Sequence, residues 1–157
     1  NDPLYDAQWG IPATKIDIVW NTTTGDYSQV IGIIDTGVDW GHPDLSGNIW
    51  ANQREVPDNG VDDDGNGYID DIRGWDFINM DNNPLDDNSH GTHVAGIAAA
   101  VGNNGIGIAG VNWKARIMPL KVFQSSGNGD VATIAQGINY SVNQGATVLN
   151  MSFGSYV

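Results

Sequence analysis

The stretch RIMPLKVFQSSGNGDVATIAQGINYSVNQGATVLNMSF, residues 116–153, decides the fold. Its two ends, RIMPLKVF (116–123) and ATVLNMSF (146–153), are short apolar runs of the kind that form strands buried on both faces. Between them Val131, Ile134, Ala135, Ile138 and Val142 recur at helical spacing. Asp130 stands where a helix N-cap belongs, and Gly145 where a left-handed residue ends a helix. Strand, helix, strand in this order is a βαβ crossover between parallel strands. Pro119 has no amide hydrogen, so it predicts an irregularity or a sheet edge at that point.

Upstream, QVIGIID (29–35) is a third buried-strand pattern; it ends in an acid and is followed by Gly37. NSHGTHVAGIAAAV (88–101) reads as a second helix, packed closely because Ala95, Gly96, Ala98, Ala99 and Ala100 let backbones approach. Asn88 and Ser89 are its expected caps. The fold class expected is α/β, a three-layer αβα arrangement with a mainly parallel sheet. At 157 residues the chain is expected to be part of one domain with one core. Residues 46–88 form an acidic, Gly- and Asn-rich excursion that reads as lacking regular elements. Loops of that length are usually functional or disordered.

Six Lys+Arg face nineteen Asp+Glu, for a net charge of −13, which disfavours nucleic acid and anionic membranes as partners and favours cations. Eleven of the nineteen acids lie between Glu55 and Asp87, a concentration that points to local chemistry. The absence of cysteine excludes disulfides and thiolate metal sites. No run of 18 apolar residues exists, so no membrane-spanning helix is expected. The start, NDPLYDAQWG, does not read as a signal peptide; in a secreted protein it would be a processed start.

Asp35 ends a buried strand, where parallel α/β folds place their ligands. His90 falls in the first turn of its helix, whose positive dipole end favours a neutral imidazole that can accept a proton. A carboxylate on the other ring nitrogen would complete a general base, and Asp35 could supply it. The alternative is a capping aspartate and a packed histidine. His93, one turn on, is expected to pack inside, and His42, before a proline in GHPDL, to be structural. A metal site on His90 and His93 lacks the glutamate of an HExxH motif and a third ligand. In DDDGNGYIDD (62–71), Asp62, Asp64 and Asn66 alternate as in the first half of an EF-hand loop. Tyr68 could add a carbonyl, and Asp70 or Asp71 could close the shell. Hard oxygen donors of this kind select Ca²⁺; the alternative is a solvated acidic loop.

VIGIIDTGVDWGHPDL (30–45) and HGTHVAGIAAAVGNNGIGIAGV (90–111) strongly resemble the aspartate and histidine signatures of subtilisin-like serine proteases. LNMSFG (149–154) resembles the family's substrate-pairing strand. The resemblance runs from about Asp2 to the last residue and is closest to the thermitase-like, calcium-stabilised secreted members. It implies a secreted endopeptidase with Asp35 as triad aspartate and His90 as general base. It implies that Ser126, Gly127 and Asn128, and Ser152, Phe153 and Gly154, flank an extended peptide as two strands. Two further calcium sites follow from it: one at Asp2, Asp44, Val101, Asn104, Ile106 and Ile108, and a weaker one at Asp76, Asn79, Asp81 and Asn83. The family's serine and oxyanion-asparagine motifs are not in this sequence, so the C-terminal remainder of the catalytic domain is the expected partner, along with a protein or peptide substrate. A non-catalytic calcium-binding or ligand-binding module on the same scaffold is the competing expectation.

Overall fold

The computed structural model describes residues 1–154. Four strands form one sheet: β1 (Val30–Asp35), β2 (Trp75–Asp76), β3 (Arg116–Lys121) and β4 (Val148–Asn150), in the spatial order β2-β3-β1-β4. Every pairing is parallel, with Asp35 opposite Lys121 and Ile31 opposite Val148. Two short helices, α1 (Gly10–Thr14) and α2 (Ile16–Val19), precede the sheet; α3 (His90–Ala99) joins β2 to β3 and α4 (Val131–Asn143) joins β3 to β4.

Strand side chains alternate between the two faces of a sheet, and this alternation sorts the core into two clusters. Ile31, Ile33 and Ile117 pack with Ala95 and Ala99 of α3. Ile34, Met118 and Leu120 pack with Tyr140 of α4. The two long helices therefore cover opposite faces, which is the expected three-layer α/β arrangement. Because both faces are covered, the strands carry near-continuous apolar runs rather than an apolar-polar alternation.

Pro119 lies inside β3, which has a neighbour on each side. The backbone N–H groups of Arg116 and Val122 donate to Gln29 and Asp35 on the β1 side. Pro119 is out of phase with them, so its missing donor faces β2, and β2 pairs only from Leu120 onward. The proline is tolerated because the ladder bond it would lack is not made there.

α4 starts as its sequence indicates: Asp130 accepts the Thr133 N–H at 2.9 Å, and Gly145 follows the helix with φ +85°. Its buried stripe overlaps the apolar one only in part: Ile134 and Ile138 are half-buried against the α4-side core. Thr133, Gly137, Tyr140 and Ser141 face the sheet, whereas Val131 is 82% exposed and Val142 60%. Gly137 sets this rotation, since a Cβ there would come within 2.8 Å of Val122, and the helix approaches the sheet through it. The 46–88 excursion is also more ordered than its composition suggests. It contains a 3₁₀ turn (Ser46–Asn48) and β2, whose Trp75 and neighbouring Phe77 are buried in the α4-side core. A two-residue strand is too short to show a period in sequence.

No helix among the described residues is long and apolar enough to cross a membrane.

Candidate active site and cation loops

Asp35 is the last residue of β1 and is 1% exposed; His90 opens α3 with its side chain 50% exposed. Asp35 Oδ1 meets His90 Nδ1 at 2.7 Å and accepts the Thr36 N–H, also at 2.7 Å. A carboxylate on Nδ1 fixes the tautomer with hydrogen on that nitrogen and leaves Nε2 as the proton acceptor. The two residues are 55 positions apart, and Gly91 is what lets them meet. A Cβ at Gly91 would fall 2.1 Å from the Gly37 carbonyl oxygen and 3.1 Å from Asp35 Cβ. Gly91→Ala is therefore expected to push α3 off β1, costing about 1–3 kcal/mol and lengthening the Asp35–His90 contact. Thermal melting and the loss of the hydrogen-bonded imidazole proton signal check this.

The expected side-chain caps of α3 are not what holds it. Ser89 adopts a left-handed conformation (φ +84°, ψ −15°) and makes no side-chain cap bond. Asn88 Oδ1 accepts the His90 N–H only at 3.3 Å. Asp86 performs the capping instead. Its Oδ1 accepts the N–H groups of Asn88 and Ser89, both at 3.0 Å, and the Thr36 hydroxyl at 2.8 Å. Its Oδ2 accepts the Thr92 N–H at 2.9 Å and hydroxyl at 2.6 Å. Burial pushes the Asp86 carboxyl up, but the bonds from Thr92, Asn88 and Thr36 outweigh it and hold it below the usual carboxylate range. Thr36 in turn receives the Gly91 N–H, so one carboxylate ties the end of β1 to the start of α3.

His93 does not pack inside. It is exposed and lines an open, acidic depression with Asp39, Asp86 and Asp87. The buried face of α3 runs through Gly91, Ala95 and Ala99, four residues apart, and His93 falls between them on another face. His42 is structural as expected, its Nδ1 accepting the Asp44 N–H at 3.2 Å.

His90 opens on a cleft of ≈ 290 Å³ lined by Asp35, Thr36, Asn88, Phe123, Gly127, Ser152, Phe153 and Gly154. Both expected substrate segments thus reach the site. The first is not a strand: the Gly127 N–H donates to Gln124 O and the Gln124 N–H to Asn128 O, each at 2.8 Å, which closes a turn. Gly127 (φ +80°) supplies the left-handed residue, and Ser126 and Asn128 bond each other across the turn. Residues 152–154 run past the end of β4 and are exposed; Phe153 stacks edge-on against Phe123 at 5.0 Å. Asn88 Nδ2 donates to Ser125 O at 2.7 Å, fastening the turn to the residues before His90.

The acidic loop gathers part of the ligand set read from its sequence. Asp62 and Asp64 lie with Glu55, which the sequence reading did not include; carboxylate oxygens of the three fall within 4.8 Å of one another. Glu55 is buried and accepts the Asp63, Asp64 and Asp70 N–H groups. Asn66 turns the loop by accepting the Tyr68 N–H at 2.7 Å. Asp70 and Asp71 do not close the cluster. Asp70 accepts the amides of Asn59 and Gly60, and Asp71 points into the core toward Asn52, Asn66 and the Tyr140 hydroxyl. Burial raises the Asp71 carboxyl above its usual range, although the bonds from Tyr140, Asn52 and Asn66 oppose it. Burial and the Asp71 charge push the Tyr140 phenol strongly upward.

The second expected set also converges. Asp2 accepts the N–H groups of Asn103, Asn104 and Gly105, and Asp44 accepts the Ile108 N–H and the Asn104 side-chain amide. Asp44 O accepts the Val101 N–H at 2.9 Å. Asp2 and Asp44 are both buried, yet the ion pairs among the described residues involve only Asp35, Asp64 and Asp87. Two buried carboxylates with no cationic side chain beside them would suit a hard cation, whose charge would compensate theirs beyond what the N–H donors supply. The third set is self-contained. Asp76 accepts from Ile78 N, Asn79 N and the Asn79 side chain, and Asp81 turns to the Asn83 N–H. Asn79 thus sits on Asp76 as a donor, as Asn104 does on Asp44, and in both sets that amide would have to turn its oxygen toward a cation.

A parallel α/β sheet that delivers a buried aspartate to a histidine at a helix start defines a class. The subtilase family profile matches residues 26–157, and the chain belongs to that family. It is 38% identical to thermitase of Thermoactinomyces vulgaris over 158 residues, covering all of this chain and 48% of that protein. It is 40% identical over 155 residues to the thermophilic serine proteinase of Bacillus sp. (strain AK1), covering 98% of this chain and 33% of that protein. It is 40% identical over 156 residues to subtilisin-like protease 1 of Plasmodium vivax, covering 98% of this chain and 25% of that protein. The chain therefore spans between a quarter and about half the length of these relatives.

Proposed function

We propose that this chain is the aspartate- and histidine-bearing part of a secreted serine endopeptidase that hydrolyses peptide bonds. The observation that carries the reading is the 2.7 Å contact of buried Asp35 with Nδ1 of His90, a residue that lines the cleft. Family membership supports it. In this reading His90 Nε2 removes the proton from a serine hydroxyl as that oxygen attacks the scissile carbonyl. Asp35 holds the tautomer and stabilises the imidazolium that forms. His90 then gives the proton to the leaving amine, and a water molecule repeats the cycle to release the acyl group. The backbone of residues 126–128 and 152–154 binds the peptide main chain, which tolerates many side chains.

No hydroxyl among the described residues is hydrogen-bonded to His90 Nε2, and the nucleophile and oxyanion asparagine are assigned to the C-terminal remainder of the catalytic domain. Residues 1–157 alone are expected to hydrolyse no peptide bond. Casein and a chromogenic peptide, assayed with this chain and with the full-length protein, test both statements. Turnover by the full-length protein that a serine-directed inhibitor abolishes supports the reading; none at all removes it in favour of a ligand-binding module.

Calcium is assigned a structural role at the Asp2/Asp44/Asn104 set, which would include the carbonyls of Val101, Ile106 and Ile108, and at the Glu55/Asp62/Asp64 cluster. A ligand bound only by the folded state stabilises it, by about 2.7 kcal/mol at a hundredfold excess over Kd. Chelation with EGTA is accordingly expected to lower Tm by roughly 5–10 °C, read by calorimetry and matched by elemental analysis for the metal.

A further inference from the structure

Lys121 is a buried cation that the proposed chemistry leaves unused. It is the last residue of β3, lies opposite Asp35 in the sheet register, and its side chain is 2% exposed. Its Nζ donates to Thr36 O at 2.7 Å, to Asp87 Oδ1 at 2.6 Å and to Phe123 O at 3.1 Å. The ammonium has three hydrogens, and each has an acceptor.

The three acceptors belong to the three segments that build the site. Thr36 directly follows Asp35, and its hydroxyl receives the Gly91 N–H. Asp87 belongs to the run leading into α3, next to Asn88, which is fastened to Ser125. Phe123 forms the cleft wall and stacks on Phe153. The ends of β1 and β3 are still joined by the Val122 and Phe123 N–H groups, which donate to Asp35 O, but no ladder holds the run before α3 to either of them. Asp87 is itself half-exposed, so water could satisfy it; the ordering comes from a cation that water does not reach.

We infer that Lys121 is a positioning residue for the Asp35–His90 pair, fixing the end of β1, the approach to α3 and the cleft wall at one point. The inference deepens the proposed peptidase reading and rests on it for its catalytic consequence. A buried group that sets the spacing of two catalytic segments acts on the geometry of proton transfer, and small misplacements there are costly in rate.

The test uses the full-length protein, labelled with ¹⁵N-histidine. In the unaltered protein, the His90 Nδ1 proton held by Asp35 is expected as a slowly exchanging, far-downfield signal. Lys121→Met is expected to abolish or broaden that signal, and to lower kcat by about 10- to 100-fold with KM changed by less than about threefold. Tyr140→Phe serves as the control for general loosening. It removes the bond to buried Asp71 on the far side of the sheet and should leave the His90 signal in place. If Lys121→Met does not fold, Asp87→Asn removes the half-exposed partner, and the same loss of signal is expected in weaker form. A folded Lys121→Met, or failing that a folded Asp87→Asn, with an unchanged His90 signal overturns the inference. A full-length protein that hydrolyses no peptide overturns the peptidase reading instead, and the imidazole signal still decides the role of Lys121.

Discussion

Replacing His90 by alanine in the full-length protein is expected to lower kcat/KM for peptide hydrolysis by on the order of 10⁴- to 10⁶-fold. The size follows from what the imidazole is asked to do. A serine hydroxyl is a weak nucleophile near neutral pH and needs a base in contact with it as it attacks. Only Nε2 of His90 is placed for that, because Nδ1 is held by Asp35 at 2.7 Å. Asp35→Asn is expected to cost about 10⁴-fold, since an amide can donate to Nδ1 and reverse the tautomer while leaving the packing intact. Neither variant should melt much lower: His90 is half-exposed, and asparagine fills the space of Asp35. The measurement is steady-state kinetics beside thermal melting. Near-normal activity in His90→Ala at unchanged stability would remove the serine-peptidase reading.

The largest stability effect is expected at Asp86. Asp86→Ala removes the acceptor of five donors, namely the Thr36 and Thr92 hydroxyls and the N–H groups of Asn88, Ser89 and Thr92. A helix cap together with charge-assisted bonds suggests a loss of about 2–4 kcal/mol. Equilibrium denaturation checks it; a loss below about 0.5 kcal/mol, the range of an ordinary surface substitution, would mean that water replaces the carboxylate. The pH dependence has a defined sign. The folded carboxyl lies below its ordinary value of 3.8, so its contribution is fully present above that pH and is lost as pH falls through the lower, folded value. Asp71 acts in the opposite direction. Burial raises its folded value above 3.8, so its contribution to stability increases as pH falls through that raised value toward 3.8. Stability curves of Asp71→Asn and Asp86→Asn against pH should therefore lose their dependence in different windows, one above and one below pH 3.8.

What the sequence by itself determined was what local pattern encodes. The apolar runs at 29–35 and 116–123 gave buried parallel strands, whereas the run at 146–153, expected to be buried, gave only the short parallel strand β4, whose Val148 is exposed and whose Leu149 and Asn150 are half-buried; Asp130 and Gly145 marked the ends of α4 within two residues. Asp35 and His90 stood out because an acid ending a strand and a histidine starting a helix are local features with chemical meaning. The alternation in 62–71 likewise brought Asp62 and Asp64 together.

The tertiary structure alone decided everything that depended on which face or which distant segment a residue met. The apolar positions of α4 pointed to one stripe, but close approach at Gly137 turned Val131 and Val142 outward. His93 went to solvent because the small residues Gly91, Ala95 and Ala99 claimed the buried face. Pro119 fits a two-sided strand because of its hydrogen-bonding phase, which only the register reveals. Asp71 left the acidic cluster for Tyr140, 69 residues away, while Glu55 entered it from outside the motif. Asp86 caps α3 in place of Ser89 because Thr36, 50 residues earlier, shares its carboxylate. Most of these turn on contacts with residues outside the local pattern, several of them far away in the chain. A side chain's partner is set by packing and by satisfying buried polar groups, and neither quantity exists until the segments meet.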